Sequence, residues 1–243
     1  MKRLLMISLV AGALMATGAE AQDDEIVVTG SRISSYNDDF LPVIYEKRRA
    51  DFMVANVVVE SDSRDYALRR DEVLKTLRAM ADRADNDSKI DLGLLRTFET
   101  DDDEIAYVEP FTRAIISSAI LSGGQRADTT RATIVVKTPI SESDSYDGAK
   151  ARIEAFTGSV PETGRAQLID DDEPGLSIVN IGQYRVPLLK ALAADNAAVR
   201  STFGEDYRVS ISGLEQPVRW RVTGPLELAI YFPYASSVAP KAD

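Results

Sequence analysis

Apolar and polar residues follow two periods along this chain. From Phe52 to Glu60 a Val-rich run of strand length predicts a β-strand. Asp62, Ser63 and Asp65 then offer capping oxygens to a helix whose apolar stripe is Val73, Leu74, Leu77, Met80, Ala81 and Ala84. Lys89 to Leu95 and Glu104 to Phe111 predict strands joined by the acidic turn Asp101-Asp102-Asp103, and Ile115 to Leu121 is apolar and fits a strand or a helix equally. Ala132 to Ile140 is a further strand, followed by a helix that starts near Asp144 and Ser145 and carries Tyr146, Ala149, Ile153 and Phe156 on one face. Arg165 to Ile169 and Leu176 to Ile181 flank Asp170-Asp171-Asp172-Glu173-Pro174-Gly175, which predicts a hairpin with a long acidic turn. A third helix is expected over Tyr184 to Phe203, with Pro187 in its first turn, Gly204 ending it, and Leu188, Leu192, Val199 and Phe203 buried. Val218 to Val222 and Leu226 to Phe232 alternate in period two around Thr223-Gly224-Pro225, a second hairpin; Trp220 belongs to its core side, and Arg219 or Arg221 can pair with Glu227.

The fold class predicted from this pattern is α+β, a mainly antiparallel sheet packed against two or three helices. Asn56-Val57-Val58-Val59 and Thr133-Ile134-Val135-Val136 each precede a Tyr-led helix, so the domain is possible as two related strand-helix units. Duplication and convergence on strand chemistry both stay open. The expected organisation is a signal peptide over residues 1–21, a flexible arm over 22–40, one α+β domain over 41–234 and a disordered tail over 235–243.

The amino-terminal pattern sets the compartment. Lys2 and Arg3 precede an apolar stretch from Leu4 to Ala16, and Ala19-Glu20-Ala21 places small residues at a cleavage site between Ala21 and Gln22. The apolar stretch falls short of the roughly twenty residues a membrane span needs. The expectation is export to the periplasm, with no integral span after cleavage. With no Cys, an exported chain must draw its stability from an ordinary core, and the 44% apolar content supplies one. The formal net charge of −11 speaks against nucleic acid as a partner. With no His, imidazole triads and metal sites built from His and Cys are excluded.

Behind Asp23-Asp24 lies the β-prone run Glu25, Ile26, Val27, Val28, Thr29 and Gly30, followed by Ser31-Arg32. This segment resembles the TonB box of TonB-dependent outer-membrane receptors, which adds as a strand to the periplasmic domain of TonB. The resemblance implies partner-binding by Glu25 to Gly30, with TonB or an outer-membrane receptor system as partner. A short extended run with free backbone groups suits strand addition. The chain is too short for a plug and a large barrel, so the likeness stops at the segment. From about Leu41 to Tyr234 the order of elements, with Ala50-Asp51-Phe52-Met53-Val54 and Arg69-Arg70-Asp71-Glu72, is similar to SIMPL-domain periplasmic proteins. That resemblance implies an α+β fold and, as the alternative to docking, a self-assembling or envelope-stress protein, a homo-oligomer in which the arm is incidental. The late helix and the Trp220 hairpin depart from that family.

Chemistry-bearing clusters point away from catalysis. Asp101 to Glu104, Asp170 to Glu173 and the Asp85-Asn86-Asp87 loop supply hard oxygens, but none has the alternating spacing of a calcium loop, and they read as solvated turns with no metal. Ser117-Ser118 and Ser122-Gly123-Gly124 lack a nearby Lys, and the glycine pair is no phosphate loop. The expectation is a non-enzymatic interaction protein with no cofactor.

Overall fold

The computed structural model of the chain describes residues 25–28, 41–99, 104–124, 126, 128–170 and 173–241. The expected signal peptide and most of the expected arm lie outside these residues. The strands are β1 (Glu25–Val28), β2 (Tyr45–Arg49), β3 (Phe52–Ser61), β4 (Asp91–Glu99), β5 (Glu104–Pro110), β6 (Ser122–Gly123), β7 (Thr130–Pro139), β8 (Ala166–Asp170), β9 (Gly175–Val179), β10 (Tyr207–Ser212), β11 (Arg219–Gly224), β12 (Glu227–Tyr231) and β13 (Ala235–Pro240). The helices are α1 (Tyr66–Ala84), α2 (Tyr146–Thr157) and α3 (Arg185–Phe203). The fold is α+β, and every strand pairing among the described residues is antiparallel.

The main sheet runs β1-β9-β3-β7-β4-β5, with β6 on β7 and β8 on β3. Its centre is the β3–β7 pair, and the Val-rich chemistry explains why: both strands are buried on both faces. Met53, Ala55, Val57, Val59, Ile134 and Val136 face the main core, whereas Val54 and Val135 form a smaller cluster with Phe52, Leu95 and Val108. Val57 lies opposite Ile134, so the two matched Val-rich runs lie side by side across the ladder.

Capping chemistry starts the first two helices where the sequence places them. Asp65 accepts the Leu68 amide at 2.8 Å and Ser145 accepts the Gly148 amide at 3.1 Å. From α1, Val73, Leu77, Met80 and Ala81 reach the main core, and from α2, Ala149, Ile153 and Phe156 do. The start of α2 is pinned to the end of β7 by Arg152, which donates to Asp144 Oδ1 at 2.5 Å, to Thr138 Oγ1 at 3.0 Å and to the Pro139 carbonyl at 2.8 Å. The Arg152 guanidinium, with two bonds from Ser141, holds the Asp144 carboxyl well below the usual carboxylate range. A carboxyl whose value is lowered by folding stabilises the fold above its ordinary value, near pH 4, and loses that contribution as pH falls. Asp144→Asn is therefore expected to cost about 1–3 kcal/mol at pH 6, and urea titrations of both proteins should converge as pH falls from 5 towards 2.

Three expectations are corrected. β8 and β9 do not form a hairpin; both pair with the same edge of β3 and run in line along it, β8 opposite Val57 to Ser61 and β9 opposite Phe52 to Val54. β3 is long enough to supply a ladder to both, with Ala55 and Asn56 lying between the two registers. Ala235 to Pro240 is no frayed tail but β13, paired with β10 from Tyr207↔Pro240 to Ser212↔Ala235. On α3 only Leu188 and Leu192 are buried, and Phe203 is 50% exposed with its ring 5.6 Å from that of Tyr207. The last turns of α3 stand over the two-stranded β10–β13 ribbon, which is too narrow to cover them. The Trp220 hairpin forms in the predicted place, with Trp220 opposite Ile230 and Arg221 opposite Ala229, which sets Glu227 at the diagonal position from Arg221.

The Trp220 hairpin gains a third strand. β12 lies between β11 and β2, and Leu226, Leu228, Ile230 and Phe232 join the main core. Ile115 to Leu121 resolves into short 3-10 turns at Arg113–Ile115 and Ser118–Ile120. Among the described residues, no helix is long and apolar enough to cross a membrane.

Candidate functional site

Two places concentrate unusual backbone or polar chemistry: the strand at the beginning of the described chain, and a polar clamp where β3, α1 and β8 meet.

Glu25 to Val28 was expected to keep its backbone groups unpaired, and the structure differs. These residues form β1 and pair with β9 in the register Glu25↔Val179, Ile26↔Ile178, Val27↔Ser177 and Val28↔Leu176. The physical reason lies in β9. Leu176, Ser177 and Ile178 are fully buried, so a strand beside them has a strong place to dock. β9 is itself held firmly, since the Val179 amide donates to Asp51 Oδ2 at 2.9 Å and the Asp51 amide donates to the Ser177 carbonyl at 2.9 Å. The other side of β1 lies near β5, with Cα atoms within 8 Å, although the two are ends of the pairing path. Thr29 and Gly30, the rest of the expected partner-binding segment, lie outside the described residues.

The polar clamp was not foreseen from the sequence. Glu72, on α1, is 5% exposed, and its Oε2 accepts from Ser61 Oγ at 2.5 Å and Ser63 Oγ at 2.8 Å. Burial pushes the carboxyl up, but the hydrogen bonds from Ser61, Ser63 and the Arg165 backbone outweigh it and leave the group below its ordinary value. An ionised carboxylate saturated by donors is a poor proton acceptor, so the geometry describes a brace rather than a catalytic base. Gly164, at φ +63°, closes over it: a Cβ there would stand 2.2 Å from Glu72 Oε1. One turn earlier, the buried Arg69 donates from Nη1 to the Ser63 and Arg64 carbonyls at 2.9 and 3.1 Å.

Above the clamp opens a cleft of about 440 Å³ whose rim includes Glu60, Asp62, Arg126 and Arg165. Its cations are committed. Arg165 grips Asp62 at 2.5 and 2.8 Å, Arg126 grips Asp128 at 3.0 and 2.7 Å, and each guanidinium lowers its partner's carboxyl. Both pairs are exposed and contribute little to stability.

The remaining candidates are dispersed. The Asp85-Asn86-Asp87 loop is an ordinary helix exit, with Asn86 Nδ2 donating to the Asp82 carbonyl at 2.7 Å and the Lys89 amide to Asp87 Oδ1 at 3.0 Å. Asp101 to Asp103 and Asp171 to Asp172 lie outside the described residues, and among those described no acidic group is gathered to hold a metal ion. Ser117 caps a 3-10 turn by accepting the Ala119 amide at 3.3 Å. Compared with known proteins, the chain matches no family model, and no curated protein or solved structure matches it significantly.

Proposed function

We propose that this chain is a non-enzymatic interaction protein of the periplasm that docks onto TonB, or onto a TonB-dependent outer-membrane system, by strand addition through Glu25 to Gly30. The observation that carries the reading is the β1–β9 ladder: Glu25 to Val28 adopts strand geometry and adds to a sheet edge through its backbone. β1 precedes every other described strand, so it can leave β9 without unthreading the fold. Docking is then an exchange, in which a partner's edge replaces β9. A four-residue strand makes that exchange feasible, since each backbone hydrogen bond is worth only about 1 kcal/mol net.

The test uses the absence of native Cys. Val27 and Ser177 stand directly opposite each other, so Val27→Cys with Ser177→Cys locks β1 to β9 when oxidised and releases it when reduced. Three proteins are titrated against the purified TonB C-terminal domain: the chain from Gln22, a chain from Ser31, and the double-cysteine variant. Binding by the first and by the reduced variant, with loss in the second and in the oxidised variant, is expected. Equal binding by all, or by none, overturns the docking reading.

A second reading is favoured by the same ladder. Because β9 already satisfies the β1 backbone, β1 serves as an ordinary structural strand, and the body acts as a SIMPL-like self-assembling or envelope-stress protein. Light scattering across a size-exclusion column separates the two, and a monomer at tens of micromolar sinks assembly.

A further inference from the structure

The in-line arrangement of β8 and β9 leaves their outer edge unequally covered. β1 takes the β9 half, while β8 pairs only with β3 among the described residues. The Leu168 amide faces away from β3, because it donates to Glu162 Oε1 at 3.0 Å rather than into the ladder. Strand alternation then turns the Asp170 amide, and the carbonyls of both residues, to the same side, which no strand covers among the described residues.

This edge is built unlike an idle one. Gln167 and Ile169 line the cleft of about 440 Å³ on one face of β8, and Leu168 and Asp170 line a second cavity of about 420 Å³ on the other face. Ile169 is 44% exposed. An open strand edge with a cavity for alternate side chains on each face is the arrangement that receives an added β-strand, with main-chain bonds giving affinity and the cavities giving choice. The two cavities differ in charge. On the Ile169 side Arg126 and Arg165 are neutralised by Asp128 and Asp62. On the Leu168 side stand Glu154, Glu162 and Asp170, and among the described residues Lys150 approaches Glu154, at 3.7 Å.

We infer that β8 is an acceptor edge for an extended peptide strand of a partner protein, one carrying Lys or Arg at every second position and apolar residues between. The cations enter the cavity of Glu154, Glu162 and Asp170, and the apolar residues cover Ile169. Glu162 is the latch. At rest its carboxylate occupies the Leu168 amide and blunts the edge against chance pairing; when a peptide carbonyl takes that amide, the freed carboxylate meets the incoming cation. The site is separate from β1 and takes a strand where β1 gives one.

The probe is a fluorescent octapeptide alternating Lys and Val, titrated by anisotropy into the chain from Gln22. Two controls keep the length: the same peptide N-methylated at every second backbone amide, and an Asp-Val octapeptide. The Lys-Val peptide is expected to bind, with the amides of Leu168 and Asp170 gaining protection from hydrogen exchange. N-methylation is expected to weaken binding at least about tenfold, since it removes main-chain bonds while keeping every charge, and the Asp-Val peptide is expected not to bind. Equal affinity for the N-methylated peptide would mean attraction by charge alone and overturns the proposal. So does protection that appears away from β8, or no binding at all.

Discussion

Glu72→Ala is expected to destabilise the chain by about 3 kcal/mol or more, measured as a fall in the urea midpoint at unchanged slope. The carboxylate accepts from two buried serine hydroxyls and from the Arg165 backbone. Truncation strands the hydroxyls of Ser61 and Ser63, which are 0% and 3% exposed, so the loss is that of unsatisfied buried groups and not of a single exchangeable bond. Glu72→Gln separates the charge from the shape. The amide keeps one acceptor and lets the hydroxyls rotate to accept, so its cost should be about 1 kcal/mol. Acid should act in the same direction as the Ala variant, because a carboxyl held below its ordinary value stabilises the fold above that value and ceases to do so once protonated. An Ala variant within about 0.5 kcal/mol of the parent, the range of an ordinary surface change, would mean that the clamp does not brace α1 against the β3 and β8 ends.

The history of this residue shows which parts of the molecule were open to sequence reasoning. Glu72 stands among Arg69, Arg70 and Asp71 on a helix, and a charged stretch reads as a solvent face. Its burial is set by the Gly164 turn laid across it, a contact between residues far apart in the chain. Local signals succeeded where one segment carries its own answer. The Val runs of β3 and β7, the Asp65 and Ser145 caps and the alternation around Gly224 all fall where the pattern puts them. They failed where a partner decides. The β2 run Tyr45-Glu46-Lys47-Arg48-Arg49 carries no apolar alternation of its own and is a strand only because β12 lies beside it. Ala235 to Pro240 has little strand chemistry of its own and is held by β10. An acidic run with Pro and Gly between two strand patterns looks like a hairpin turn, yet β8 and β9 pair with β3 and not with each other, because β3 is long enough to receive both. β1 belongs to this second group, since a docking strand and a structural strand share one sequence signature and differ only in which edge they meet.

Leu228→Ala tests whether the fold is a single cooperative body. Leu228 is fully buried in β12, the middle strand of the β11-β12-β2 sheet. Among the described residues that sheet shares no ladder with the main sheet, so ladder hydrogen bonds alone would allow it to melt separately. Packing argues otherwise: Leu226, Leu228, Ile230 and Phe232 belong to the same core as Met53, Leu77, Ile134 and Ile178. Truncating the isobutyl group to a methyl should therefore cost about 2–5 kcal/mol through lost burial and the cavity left behind, and lower the stability of the whole domain. The single Trp of the chain, Trp220, lies directly opposite Ile230 and reports on the small sheet, whereas far-ultraviolet circular dichroism is dominated by α1, α2 and α3. Both signals should move to the same lower midpoint and remain coincident. A Trp220 transition that shifts alone would make the C-terminal sheet a separate folding unit, joined to the rest by weaker contacts than its shared core implies.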